Sequence, residues 1–265
     1  MPGGYWPWII VLGFKFVTNE EGKSMSRLPS LIASCIWVLL AGGALSLATA
    51  EELHSGVRGL ATKAPADMKI DGDLTEFRGA FCTPVNYFHP QVGERAAQFF
   101  YLWDDEAFYA GLRTLDTKQF NQAPNDRLWE GDGVEWYFDT RRDENFRGID
   151  WGKGAVHCYW TGYNKAEVSP RFCLRPGYLD AIEKIGVQVA ARKTEYGAEV
   201  EFKLPWANFP NFKPAAGQVI ALDAELCYSD GGPRVDRIFA YGSPLCVQQP
   251  AAQGQVQLVD KLEPD

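Results

Sequence analysis

From residue 66 to 260 the chain repeats one local pattern: short runs alternate apolar and polar residues, and Gly, Pro, Asn and Asp cut them at close intervals. Glu199-Val200-Glu201-Phe202-Lys203-Leu204 is the clearest run. Only an extended backbone puts Val200, Phe202 and Leu204 on one face, because side chains alternate across a strand. Strands are expected near 68–70, 96–103, 107–115, 133–139, 154–161, 169–174, 185–193, 197–204, 218–228, 234–241 and 254–259. No long amphipathic helix interrupts them. Asp104-Asp105-Glu106 reads as a tight hairpin turn. Pro205 to Phe209 reads as one helical turn, and Tyr178 to Glu183 as another. The fold class this dictates is all-β, an antiparallel β-sandwich of jelly-roll or immunoglobulin-like type.

The first fifty residues follow other rules. Met25-Ser26-Arg27 precedes an apolar run from Leu28 to Leu47, and Ala48-Thr49-Ala50 precedes Glu51-Glu52. A basic start, an apolar core and a small-x-small site are the marks of a secretory signal peptide. The run also approaches the length of a single membrane anchor, the alternative that the Ala-Thr-Ala site and the acidic flank disfavour. Residues 25–50 are therefore read as the signal and 1–24 as an N-terminal extension outside the native protein, with translation starting at Met25. Residues 51–65 read as a short linker and 66–260 as the domain. Export places the mature chain in the periplasm, at the cell surface or outside the cell, with no membrane anchor after cleavage.

Charge narrows the partners. The chain carries 26 basic and 34 acidic residues, for a net charge of −8, and removal of the leader leaves −9. Such a balance opposes nucleic acid and anionic membranes and suits a neutral polymer. Five cysteines follow the leader, namely Cys82, Cys158, Cys173, Cys227 and Cys246. An odd number leaves one unpaired, and Cys158 with Cys173 is the first candidate pair. No Cys-x-x-Cys occurs, and His54, His89 and His157 are the only histidines, which disfavours zinc.

Chemistry concentrates in Leu128-Trp129-Glu130-Gly131-Asp132-Gly133-Val134-Glu135-Trp136-Tyr137-Phe138-Asp139. An aromatic face beside fixed carboxylates at a strand end is the equipment that holds a sugar: the ring stacks on pyranose C–H groups and the acids accept hydroxyl protons. Nucleophile elbows, phosphate loops and His-Glu-x-x-His are absent from the sequence. Two carboxylates flanking a cleft would suffice for a glycosidase, but the many acids of a solvated β domain single out no pair.

Several landmarks, in order, resemble carbohydrate-binding module family 9, a sandwich of the DOMON-like group. They are Ile70-Asp71-Gly72-Asp73-Leu74-Thr75-Glu76-Phe77, Tyr101-Leu102-Trp103-Asp104-Asp105-Glu106-Ala107-Phe108-Tyr109 and Trp129-Glu130-Gly131-Asp132-Gly133-Val134-Glu135. Glu199 to Trp206, Gly217 to Asp223, Arg234 and Gly254-Gln255-Val256-Gln257-Leu258 follow. The resemblance implies a non-catalytic domain that binds xylan- or glucan-class polysaccharide or oligosaccharide in carbohydrate catabolism, associated with separate glycoside hydrolases. It implies Trp129 as a stacking platform, Glu135 and Arg234 as hydroxyl-holding groups, and His157 where the family has an arginine. The family's second tryptophan falls at Val247, so half of its sugar sandwich is missing unless Tyr241, Trp160 or another aromatic replaces it. It also implies structural calcium, for which Asp104, Asp105, Asp132, Asp139, Asp223 and Asp230 are acids at strand ends without a dense ligand loop. No metal residues are assigned from sequence.

Two other readings remain open at this stage. The DOMON-like group contains haem-binding electron-transfer domains, which would need Met68 with His54, His89 or His157. A catalytic subunit acting on O-glycosyl bonds is the other.

Overall fold

Extended backbone dominates the computed structural model, which describes residues 56–262 except 92, 120, 125–126, 142–154, 162–170, 174–185, 210–211 and 242–243; of 155–161 and 171–173 it describes the backbone alone. All belong to the unit Ala50–Asp265. In chain order the strands are β1 (Gly59–Lys63), β2 (Cys82–His89), β3 (Gly93–Trp103), β4 (Ala107–Leu115), β5 (Gly133–Asp139) and β6 (Ala155–Thr161). They continue with β7 (Arg171–Cys173), β8 (Gln188–Lys193), β9 (Gly197–Pro205), β10 (Val219–Ser229), β11 (Arg234–Phe239) and β12 (Gly254–Leu258). Helical structure among the described residues is limited to short 3-10 turns, one of them at Trp206–Asn208, where a helical turn is expected.

The strands run in the order β7-β6-β5-β10-β12-β1-β3-β4-β9-β8, with β11 added to β10 and β2 to β3. The order folds into two layers at β1, whose first half pairs with β12 and second half with β3. Both β1 pairings are parallel, the exceptions in an otherwise antiparallel arrangement. Apolar side chains from both layers meet between them: Phe99, Tyr101 and Trp103 of β3, Val200, Phe202 and Leu204 of β9, Val134, Trp136 and Phe138 of β5, and Leu222 and Leu226 of β10. Trp136 stacks on Phe202 with centroids 5.0 Å apart and planes 9° apart, and Phe108 meets Phe138 edge-on at 4.9 Å. The all-β sandwich expected from the period-two runs is what forms.

The hairpin between β3 and β4 holds itself. Asp104 Oδ1 accepts the backbone N–H groups of Glu106 and Ala107, Tyr109 donates to Asp104 Oδ2 at 2.7 Å, and Trp206 Nε1 donates to the Asp104 carbonyl. Asp104 therefore replaces water for the turn's backbone donors, the usual reason for aspartate at such a place. Lys63 Nζ lies 3.6 Å from the centroid of the Trp103 ring, and Trp103 Nε1 donates to the Val259 carbonyl.

Three expectations need correction. Residues 68–70 form no strand; they belong to the cover over the outer face of β3 and β4, with Met68 and Ile70 packed beside Leu74 and Phe77. Gly59–Lys63, inside the stretch read as a linker, is β1. Cys82–His89 is a strand that the sequence reading missed. The expected turn at Tyr178–Glu183 lies outside the described residues.

Glu201 fixes that cover. It is fully buried on β9, and its Oε2 accepts the N–H of Asp71 at 2.7 Å and of Gly72 at 2.6 Å. Gly72 sits at φ +90°, and a Cβ there would come 3.0 Å from the Ala191 carbonyl carbon, which explains glycine in the Ile70-Asp71-Gly72 motif. Burial pushes the Glu201 carboxyl up to about 7, with the two backbone N–H groups pulling against it. A folded-state value above the ordinary 4.5 adds stability below pH 4.5, and that stability disappears as pH rises through 7. Glu201→Gln keeps an acceptor without the charge, so the pH 5 to 8 fall in stability should shrink by up to about 3 kcal/mol. Thermal melts across that window check this; identical pH slopes for both proteins would contradict it.

Candidate functional site

Strand β5 is buried on both faces: Val134, Trp136 and Phe138 enter the core, while Glu135, Tyr137 and Asp139 take the other side. Immediately before it, Leu128–Glu130 makes a 3-10 turn whose Leu128 is buried and whose Trp129 is half-buried. Asn121 staples this turn. Fully buried, it donates from Nδ2 to the carbonyls of Leu128 and Asp132 at 2.8 Å each, and its Oδ1 accepts the Ala123 N–H. A Cβ on Gly131 would lie 2.6 Å from the Asn121 side chain, so the close approach requires glycine. Asp132 completes the anchorage by accepting both the backbone N–H and the hydroxyl of Ser229 on β10, at 2.6 Å each.

This anchorage places Trp129 on the same cavity as the Gly232–Arg234 segment that leads into β11. Trp129, Glu130, Gly131, Gln122, Ala123, Gly232, Pro233 and Arg234 line a pocket of about 450 Å³. Two of the four residues singled out from sequence, Trp129 and Arg234, therefore share one cavity although 105 positions separate them. The hairpin between β10 and β11 makes the approach, with Ser229 opposite Arg234.

Glu135 lies beneath rather than in that wall. It is 4 % exposed, and Tyr137 Oη lies 2.6 Å from its Oε2 and 2.7 Å from Glu225 Oε2. A phenol has one proton, so Tyr137 offers a single donor to two carboxyls. Burial and the charge of Glu135 push the Glu225 carboxyl up, with Arg237 opposing. The Tyr137 hydroxyl is likewise raised by burial and by both acids.

The cluster reaches the pocket through Arg234, whose Nη1 stands 3.6 Å from Glu225 Oε1 and donates to Cys227 Sγ at 3.6 Å. Arg237 Nη1 donates to Glu225 Oε1 at 3.2 Å. Cys227 Sγ also contacts Glu135 Oε1 at 4.0 Å. A buried anionic base thus holds the arginine that faces the pocket. Tyr137, Glu225, Cys227, Arg237 and Asn121 are site residues that the sequence reading missed. Alternation could have flagged Glu225 and Cys227 as one face of β10, but nothing in the sequence pairs that face with Glu135.

His157 is opposite Tyr137 on β6, and its side chain lies outside the described residues, as does that of Trp160. Val247 packs with Tyr137, Cys246, Phe239 and Ala252. Tyr241 is no substitute platform: its ring is in the core, with its hydroxyl 2.8 Å from Thr83 Oγ1. Cys82, Cys227 and Cys246 are free thiols. The register sets Cys173 opposite His157 and Cys158 opposite Phe172, and the two cysteine side chains lie outside the described residues.

Among the described residues, one group brings three metal-ligand atoms together: those of Glu135, Glu225 and Cys227 lie within 4.8 Å of one another. A thiol among two carboxylates is not the oxygen cage that calcium prefers. The acids named for calcium are engaged separately, Asp105 by Lys63, Asp139 by Arg141, Asp230 by Lys118, Asp104 by the N–H groups of its own turn, Asp132 by Ser229, and Asp223 by the Tyr241 N–H. Among the described residues they do not fit a calcium ion. Met68 and His89 cannot share a haem iron either. Met68 packs with Phe100, whereas His89 pairs with Gly93, on the order of 20 Å along β3.

Comparison with known proteins agrees with this architecture. Residues 70–261 match the family model described as carbohydrate family 9 binding domain-like. A carbohydrate-binding module family 9 from Caldicellulosiruptor kristjanssonii, in complex with cellotriose, superposes with a TM-score of 0.60 at 18% identity, over 78% of this chain and 96% of that one. A second structure of such a module from the same organism, with glucose, gives 0.58 at 19% identity, over 78% and 98%. No curated protein sequence matches the chain.

Asn121→Ala removes the two side-chain bonds that tie the Trp129 turn to the start of β5. It should destabilise the fold by about 2 kcal/mol. Chemical denaturation measures this, and an unchanged midpoint would refute the stapling role.

Proposed function

Because the chain belongs to the carbohydrate family 9 binding domain-like family, we propose that it binds a neutral oligosaccharide or polysaccharide of the xylan or glucan class, without catalysis of its own. The observation that carries this reading is the meeting of Trp129 and Arg234 in one pocket of about 450 Å³. A cavity of that size lies within the range of small-ligand sites. The indole supplies an apolar face for pyranose C–H groups, and the guanidinium supplies donors for ring and hydroxyl oxygens. Glu225 and Cys227 hold the guanidinium, so less side-chain freedom is lost on binding.

The solved structures that support the sugar class hold cellotriose and glucose. The signal-like segment at 25–50 supports an exported protein working beside separate glycoside hydrolases on extracellular polysaccharide. A hydrolase reading has less behind it: Glu135 and Glu225 are buried and bridged by one tyrosine hydroxyl, rather than facing each other across an open cleft.

Trp129→Ala should lower affinity for cellotriose or xylotriose about tenfold or more, because one stacking platform contributes roughly 1 kcal/mol beyond its buried area. Titration calorimetry beside circular dichroism checks this. A folded Trp129→Ala protein with unaltered affinity would overturn the site.

A further inference from the structure

The outer face of the β2-β3-β4-β9-β8 layer is only half covered. Leu74 and Phe77 close the half over Tyr109 and Gly111. The other half is a groove of about 650 Å³ bounded by Asn86, Gln98, Arg113, Leu115, Tyr196 and Glu199. It shares no residue with the Trp129 pocket.

We propose that this groove is a second carbohydrate-binding site, taking the interior of a neutral glycan chain laid across the strands. Among the described residues four large apolar side chains are exposed, and two of them, Tyr196 at 62 % and Leu115 at 41 %, line this one groove. Scattered exposed apolar residues need no explanation, but a pair converging on a groove marks a contact surface.

Tyr196 is held firmly. Its carbonyl accepts the Asp116 N–H at 2.9 Å, and Ala198 N–H donates to Thr114 Oγ1. A Cβ on Gly197 would lie 2.2 Å from the Thr114 carbonyl oxygen, so the hairpin tip sits hard against β4. An exposed aromatic on a fixed backbone is the form of a stacking platform.

Beside it runs a polar row, Gln98, Arg113, Glu199 and Arg192, in mutual register across β3, β4, β9 and β8. Glu199 receives Arg113 Nη2 at 2.7 Å and Arg192 Nε at 2.9 Å. Arg192 Nη1 also reaches Asp73 at 2.7 Å. Two arginines against two acids leave the row itself without net charge, and Glu195 adds one acid to the groove wall, so the surface suits a neutral polyhydroxyl ligand and opposes a polyanion. With Pro84 of β2 the row spans five strands, roughly 19 Å, so it offers contacts to several consecutive sugars.

The proposal shares its ligand class with the Trp129 reading, and the test separates the two. Wild type, Trp129→Ala, Tyr196→Ala and the double variant are titrated with cellohexaose and xylohexaose, with melting temperatures recorded and oligomeric state followed by light scattering. The expected result is weak hexaose binding that survives Trp129→Ala and falls about tenfold or more on adding Tyr196→Ala. Gln98→Leu in the Trp129→Ala background should weaken it as well. Wild-type binding abolished by Trp129→Ala alone would overturn the second site and leave the first standing. Residual binding indifferent to Tyr196→Ala, or a change of oligomeric state with Tyr196→Ala, would overturn it too. No binding by wild type would remove both sites.

Discussion

The ring stack of Trp136 on Phe202 is the contact on which the rest depends, because it fixes which face of β5 meets the core. Side chains alternate strictly, so Trp136 inward means Glu135 and Tyr137 outward; a slip of one residue would exchange them. Phe108 against Phe138 repeats the constraint two residues on. On β10, Leu222, Ala224 and Leu226 do the same, leaving Asp223, Glu225 and Cys227 on the side of Glu135. The acidic base of the pocket is therefore a consequence of the apolar packing on the opposite face.

Such a base is costly unless its charges are paired. Two buried carboxyls side by side repel, and the protein offsets this with one tyrosine hydroxyl between them and two arginines from β11. Arg234 belongs to both worlds, reaching down to Glu225 and lining the cavity above. That double engagement lets a structural charge network hold a side chain of the cavity wall. Burial also holds the Asp223 carboxyl up to about 6, one strand position pair away from Glu225.

Much of the fold was legible because half-buried strands print their period in the sequence; β3, β4, β5, β9 and β10 lie where alternation placed them. β2 was hidden by Pro84, which argues against a central strand but is tolerated where a strand pairs on one side only, as β2 does with β3. β1 is five residues whose two halves pair with different partners, a tertiary fact no local window contains. For the site, a resemblance pointed to Trp129 and Arg234, and the structure gathers them. The bridging roles of Tyr137 and Glu225 were not legible, since alternation gives a residue's face but not its neighbour across the sheet.

The central claim is that Trp129 and Arg234 together hold a sugar. The most direct test is a crystal structure with cellotriose bound. A pyranose face lying on the Trp129 ring, with a hydroxyl or ring oxygen accepting from Arg234, is the predicted result. Well-ordered cellotriose bound elsewhere, with Trp129 and Arg234 both untouched, would contradict it.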